Sequence, residues 1–248
     1  MRQFTTILVV LLLTAFITCS SRSIEKYDLF DDLADKLSIE TFEQLSDSPN
    51  PGCLFEERYE KSLCHPTAKN VLFSIDISAS MNELVFFSPP TRRIDLVIRT
   101  IENALLEMDQ FKTNQVIYIQ LFSDKVRPIV STFGPIVTDG KSKGALSAIN
   151  WLKQHTGWKS IDGHTDIKFG LRSALTLFKS NPRNETAIYL MTDGVENREH
   201  VIEILPAFNP KESPVVNTIL FLKRFDEKYH QLMKSIAKYF GGYFKWSY

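Results

Sequence analysis

The sequence predicts an α/β protein: a three-layer, doubly wound, mostly parallel sheet with one antiparallel edge strand. Three observations predict it. Short apolar runs rich in β-branched and aromatic residues recur from residue 70 onward, helical patterns lie between them, and polar residues gather where two of the runs end. Runs without polar alternation suit strands buried on both faces, as in a parallel sheet covered by helices. Strands alternating with helices give a sheet with crossovers on both of its faces.

The strands come first. "NVLFSI" (70–75), "VIYIQLF" (116–122), "AIYLM" (187–191) and "VVNTILFL" (215–222) are the buried runs, and "GYFKW" closes the chain as a short final strand. "KVRPIVSTF" (125–133) also reads as a strand. Its Pro128 confines it to a sheet edge, and it follows its predecessor so closely that it must turn back antiparallel. Helices are read from apolar residues that share one face: Ile94, Val97, Ile98, Ile101, Leu105 and Met108; then Leu171, Ala174, Leu175 and Phe178; then Tyr229, Leu232, Met233, Ile236 and Phe240.

Composition sets bounds on function. The 248 residues carry 29 basic and 29 acidic side chains, are 44% hydrophobic, and show no long Lys/Arg run. A neutral chain of this kind offers no electrostatic footprint for nucleic acid or an anionic membrane. Residues 1–18 read as an export signal, with Arg2 before the uncharged stretch Phe4–Ile17. Fourteen helical residues span about 21 Å, short of a hydrocarbon core of about 30 Å. Cys19, directly after this stretch, resembles the lipid-attachment cysteine of bacterial lipoproteins. An ordinary cleaved signal, giving a secreted or periplasmic protein, and an uncleaved anchor are the alternatives. Residues 19–69 read as an envelope tether or spacer. Within it Cys53 and Cys64 can close a short disulfide loop, worth about 2 to 3 kcal/mol, or remain as thiols.

In an open α/β sheet, ligands gather at the carboxyl ends of strands where the winding direction switches. "FSIDISASM" (73–81) places Asp76, Ser78 and Ser80 at one such end, and "YLMTDG" places Asp193 at another. Thr165 stands before the helix "DIKFGLRSALTLF", well placed to cap it. Singly, such residues usually cap helices or make turns. Jointly they are two carboxylates and three hydroxyls, the oxygen donors that hard cations choose, with no imidazole or thiolate among them. His164 reads as a loop histidine and Asp166 as a first-turn acid. Phe86 and Phe87, beside Pro89 and Pro90, form either an apolar rim for a partner or part of the core.

The pattern D-x-S-x-S, a later threonine and then "TDG" resembles the metal-ion-dependent adhesion site of von Willebrand factor type A domains. "VLFSIDISASM", "GHTDIKFGLRSAL", "IYLMTDGVEN" and "IAKYFGGYF" carry the resemblance, which spans residues 70–248. Ala79 departs from it, since glycine is common there, as does the insert "NELVFFSPPTRR" (82–93). The resemblance implies Mg²⁺ (or Mn²⁺) held directly by Ser78 and Ser80, with Thr165 binding directly or through water and Asp76 and Asp193 mainly holding coordinated waters. It implies a non-enzymatic module whose ion is completed by an Asp or Glu carboxylate of a protein partner. On this reading the domain stands on a bacterial cell envelope, touching the membrane only through an N-terminal lipid anchor. A structural subunit of an envelope assembly is the alternative. A metal-dependent hydrolase is more remote, because Ser78 stands where such enzymes carry a second acid.

Overall fold

A computed structural model describes residues 68–247 except 88, 125–130, 180–184, 195–200, 202–204 and 223–225. Cys19, Cys53, Cys64, the signal and the tether all lie outside the described residues.

Six strands form the main sheet among these residues: β1 (Asn70–Asp76), β4 (Val116–Phe122), β5 (Ser131–Val137), β6 (Thr186–Thr192), β7 (Val215–Phe221) and β8 (Phe244–Ser247). Their order is β5-β4-β1-β6-β7-β8. Every neighbouring pair is parallel except β4 with β5, which is antiparallel. The sheet is therefore mostly parallel with an antiparallel edge, as the sequence predicts. The edge strand itself lies further along the chain than expected. Only Ser131–Phe133 belongs to the predicted segment; the strand runs on through Pro135 to Val137. Proline is tolerated there because an edge strand needs only half its amide donors.

Helices α1 (Arg93–Gln110), α2 (Lys143–His155), α3 (Ile167–Leu177) and α4 (Glu227–Tyr239) cover the sheet. The apolar residues that predicted α1 are all buried, and its core is shared with α2 through Phe73, Ile75, Ile119 and Tyr189 on one sheet face. On the opposite face Leu72, Ile188, Leu190 and Val216 pack with residues of α3 and α4. Val71, Phe73 and Ile75 of β1 thus feed one core and Leu72 the other, while its buried polar residues Asn70, Ser74 and Asp76 have hydrogen-bond partners within the protein. No helix among the described residues is long and apolar enough to cross a membrane.

Two elements add to the sequence reading. The insert after the first strand holds a hairpin of β2 (Leu84–Phe87) and β3 (Pro90–Arg92), and α2 fills a stretch in which no helix is predicted. The side chains of Phe86 and Phe87 are outside the described structure, so the expected rim is not placed.

Candidate functional site

β1 and β6 are neighbours at the centre of the sheet, and their carboxyl ends deliver Asp76 and, one residue beyond Thr192, Asp193. After Asp76 the chain leaves the sheet in a short 3-10 turn, Ala79–Asn82, with Ser78 at its N-cap. Thr165 reaches the same place from the loop before α3. Asp166, not Thr165, caps that helix: its Oδ1 accepts the Phe169 N–H at 2.8 Å. Thr165 is thereby left to face the site, where its hydroxyl donates to Ser78 Oγ at 2.9 Å.

All five predicted residues come together. Ser78 Oγ lies 3.1 Å from Ser80 Oγ, and Ser80 Oγ donates to Asp193 Oδ1 at 2.9 Å. Asp76, wholly buried, accepts the Ser78 N–H on Oδ1 at 2.8 Å and the Thr192 hydroxyl on Oδ2 at 2.6 Å. These contacts fix its carboxylate behind the serines. Burial and the nearby negative charge of Asp193 push the Asp76 carboxyl up to about 7, against the pull of Thr192 and Ser78. Burial raises Asp193 too, while the Arg93 guanidinium opposes the rise. Burial is the main cause of both shifts, and Arg93 offsets it at Asp193 alone.

The donor set suits a small hard cation. Neighbouring ligands of an octahedral Mg²⁺, each about 2.1 Å from the ion, stand about 3 Å apart. That is the spacing found along the chain Thr165–Ser78–Ser80–Asp193. Among the described residues no group of three or more His, Cys, Asp or Glu side chains converges for a metal. A cation here would rest on hydroxyls. The site opens into a cleft of about 360 Å³ whose lining includes Ser80, Glu83, Arg93, Thr165, Asp193 and Tyr229. His164 is on the same lining; its carbonyl accepts the Asp124 N–H at 2.7 Å.

Arg93 was not foreseen. It opens α1, and its Nη1 donates to Asp193 Oδ2 at 2.6 Å and to the Ser80 carbonyl at 3.2 Å. Its Nη2 pairs with Glu83 Oε2 at 2.8 Å.

Comparison with known proteins agrees with this architecture. The family model described as von Willebrand factor type A domain matches residues 71–196, about half of the chain. No curated protein matches the sequence. Among solved structures, the chain is similar to pilus adhesin SpaC from Lactobacillus rhamnosus GG, with 14% identity, a TM-score of 0.55, and coverage of 72% of this chain and 28% of that one. It is also similar to a von Willebrand factor type A protein from Catenulispora acidiphila, with 14% identity, a TM-score of 0.51, and coverage of 73% and 39%. The chain thus spans well under half the length of either, and at such identities the likeness shows the fold alone. Family match, sheet order and strand-end placement agree: this chain belongs to the von Willebrand factor type A domain family.

Proposed function

We propose that the domain is a non-enzymatic, metal-dependent protein-binding module displayed on a bacterial cell envelope. The observation that carries this is the convergence of three hydroxyls and Asp193, each about 3 Å from the next, on the lip of an open cleft. Ser78, Ser80 and Thr165 would hold Mg²⁺ (or Mn²⁺), with Asp76 and Asp193 holding its waters. When bound, the ion supplies a Lewis-acidic position that a partner's Asp or Glu carboxylate can fill. The chain's residues prepare that position. Thr192 and the Ser78 amide lock Asp76, so negative charge is present but cannot clamp the ion directly. The hydroxyls are neutral, so the ion keeps a charge that attracts an anionic ligand. Attachment through a lipid on Cys19 would hold the domain at the membrane, and mass spectrometry of the mature N-terminus tests it.

The test of the site is thermal unfolding at millimolar Mg²⁺. Wild type is expected to melt several degrees higher with Mg²⁺ than with chelator, and Asp76→Ala to lose the shift. Ser80→Ala, which leaves the buried carboxylate in place, should lose most of it too. A wild type indifferent to Mg²⁺ and Mn²⁺ overturns the reading. Should metal binding hold while pull-down from envelope extract finds the same neighbour with and without chelator, the structural-subunit reading is favoured instead.

A further inference from the structure

Arg93 is held by two carboxylates of very different standing. Asp193 is 1% exposed at its side chain, and its contact with Nη1 is short and buried. Glu83 is 63% exposed, and an ion pair at such exposure is weak and easily exchanged. The guanidinium is thus anchored on its inner edge and exchangeable on its outer edge. Its backbone repeats the arrangement: the Arg93 N–H donates to the Glu83 carbonyl, and the Glu83 N–H to the Ser80 carbonyl, each at 3.0 Å. The Arg93 Nε–H is buried and has no acceptor among the described residues, so this residue has donor capacity that its present partners leave unused. Both Arg93 and Glu83 line the cleft beside Ser80 and Thr165.

A carboxylate arriving at the hydroxyls finds on the same cleft lining both a carboxylate of the chain itself and a guanidinium whose planar fork matches its own geometry. We infer that Arg93 is the second anchor of the partner's carboxylate, and that Glu83 is the place-holder this carboxylate displaces. The inference rests on the metal-dependent binding proposed above. It adds a specificity element: the preferred ligand is an acidic side chain able to present one oxygen to the ion site and the other to Arg93. A neutral amide of the same shape would gain neither the ionic contact nor the release of Glu83.

The test uses the full chain saturated with Mn²⁺, with acetyl-Gly-Glu-Gly-amide as probe and its Gln counterpart as control, followed by calorimetry and by paramagnetic broadening of the peptide's proton signals. Arg93→Gln is expected to weaken the Glu peptide by about tenfold or more, as loss of a charge-assisted contact does. Its own Mn²⁺ affinity should hold or rise, because a competing cation has left Asp193. Arg93→Lys should restore part of the binding, and Glu83→Gln should tighten the Glu peptide by about two- to fivefold. If Arg93→Gln binds the peptide as wild type does, or loses Mn²⁺ and peptide together, Arg93 only braces the loop and the inference falls while metal-dependent binding stands. If wild type binds no Mn²⁺, both fall.

Discussion

Asp76 is the residue on which burial and charge act most strongly in the site, and the consequence is measurable without any ligand. Its carboxyl is held at about 7 in the folded state, against about 3.9 in an unfolded chain. Below about pH 4 both states are protonated and no penalty arises. Between about pH 4 and pH 7 the folded state alone retains the proton, so this residue's contribution to stability declines across that window and is flat above it. Metal-free protein should therefore unfold at lower urea at pH 8 than at pH 5.5, by an amount on the order of 2 kcal/mol. Asp76→Asn should flatten the slope. A slope equal in wild type and variant would show that Asp76 ionises freely. Since protons and cation compete for the same carboxylates, the Mg²⁺-induced rise in melting temperature should also grow from pH 6 to pH 8.

Helix α3 sits unusually close to the sheet, and the reason is one glycine. A Cβ on Gly170 would come within 2.6 to 2.8 Å of the Phe122 ring. The Gly170 carbonyl accepts the Gln120 side-chain amide at 3.0 Å, so the close approach is also hydrogen-bonded. Phe122 in turn is the register partner of Asp76, and its carbonyl accepts the Ile77 N–H at 2.8 Å. Gly170→Ala should cost about 1 to 3 kcal/mol from overpacking, despite alanine's better helix propensity. The readout is a lower urea midpoint at unchanged m, with weaker Mg²⁺ binding as the displaced ring presses on the Asp76 loop. Normal stability would mean the helix can simply move out. Elements such as α1, α3 and α4 were legible because a wide apolar face repeats at helical spacing. α2 was not: its buried positions are Ala145, Ala148, Ile149 and Leu152, and two alanines give a faint stripe. The β2–β3 hairpin read as an irregular insert because Pro89 and Pro90 stand at its turn. Gly134 and Pro135 likewise disguised β5, since their usual meaning is a break, and only its place at the sheet edge makes the pair acceptable. That Asp76, Ser78, Ser80, Thr165 and Asp193 meet was legible from residue type, from two strand ends and, for Thr165, from the family resemblance. Arg93 was not, because a long basic side chain on a helix normally faces water, and only the fold brings it over Asp193.

Across the whole domain, the site couples the sheet's two central strands to the helical layers. Ligand binding to the native state alone stabilises it by about 2.7 kcal/mol at a hundredfold excess over Kd. For a domain of this size that is a rise of roughly 5 to 10 °C. Circular dichroism and tryptophan fluorescence should report the same shifted transition, because Asp76 and Asp193 terminate strands at the middle of one sheet. Non-coincident transitions would show instead that the ion steadies only the loops. Tyr229, in the first turn of α4, stands on the cleft wall, so an α4 cross-linked to the sheet by an engineered disulfide tests whether ligand affinity depends on that helix. Unchanged affinity would count against such coupling.

The strand order has a further consequence, in time and not in space. β1 is flanked by β4 and β6, and the contacts that build the site join residues 87 and 113 positions apart. Such distant pairings form late, after costly loop closures. An ion therefore has nothing to bind until the last crossovers have closed, and it cannot hasten their closing. Mg²⁺ should leave the refolding rate nearly unchanged and slow unfolding by most of the full stabilisation. On the proposed export route the site would fill only once the sheet is complete, making occupancy a certificate of finished folding.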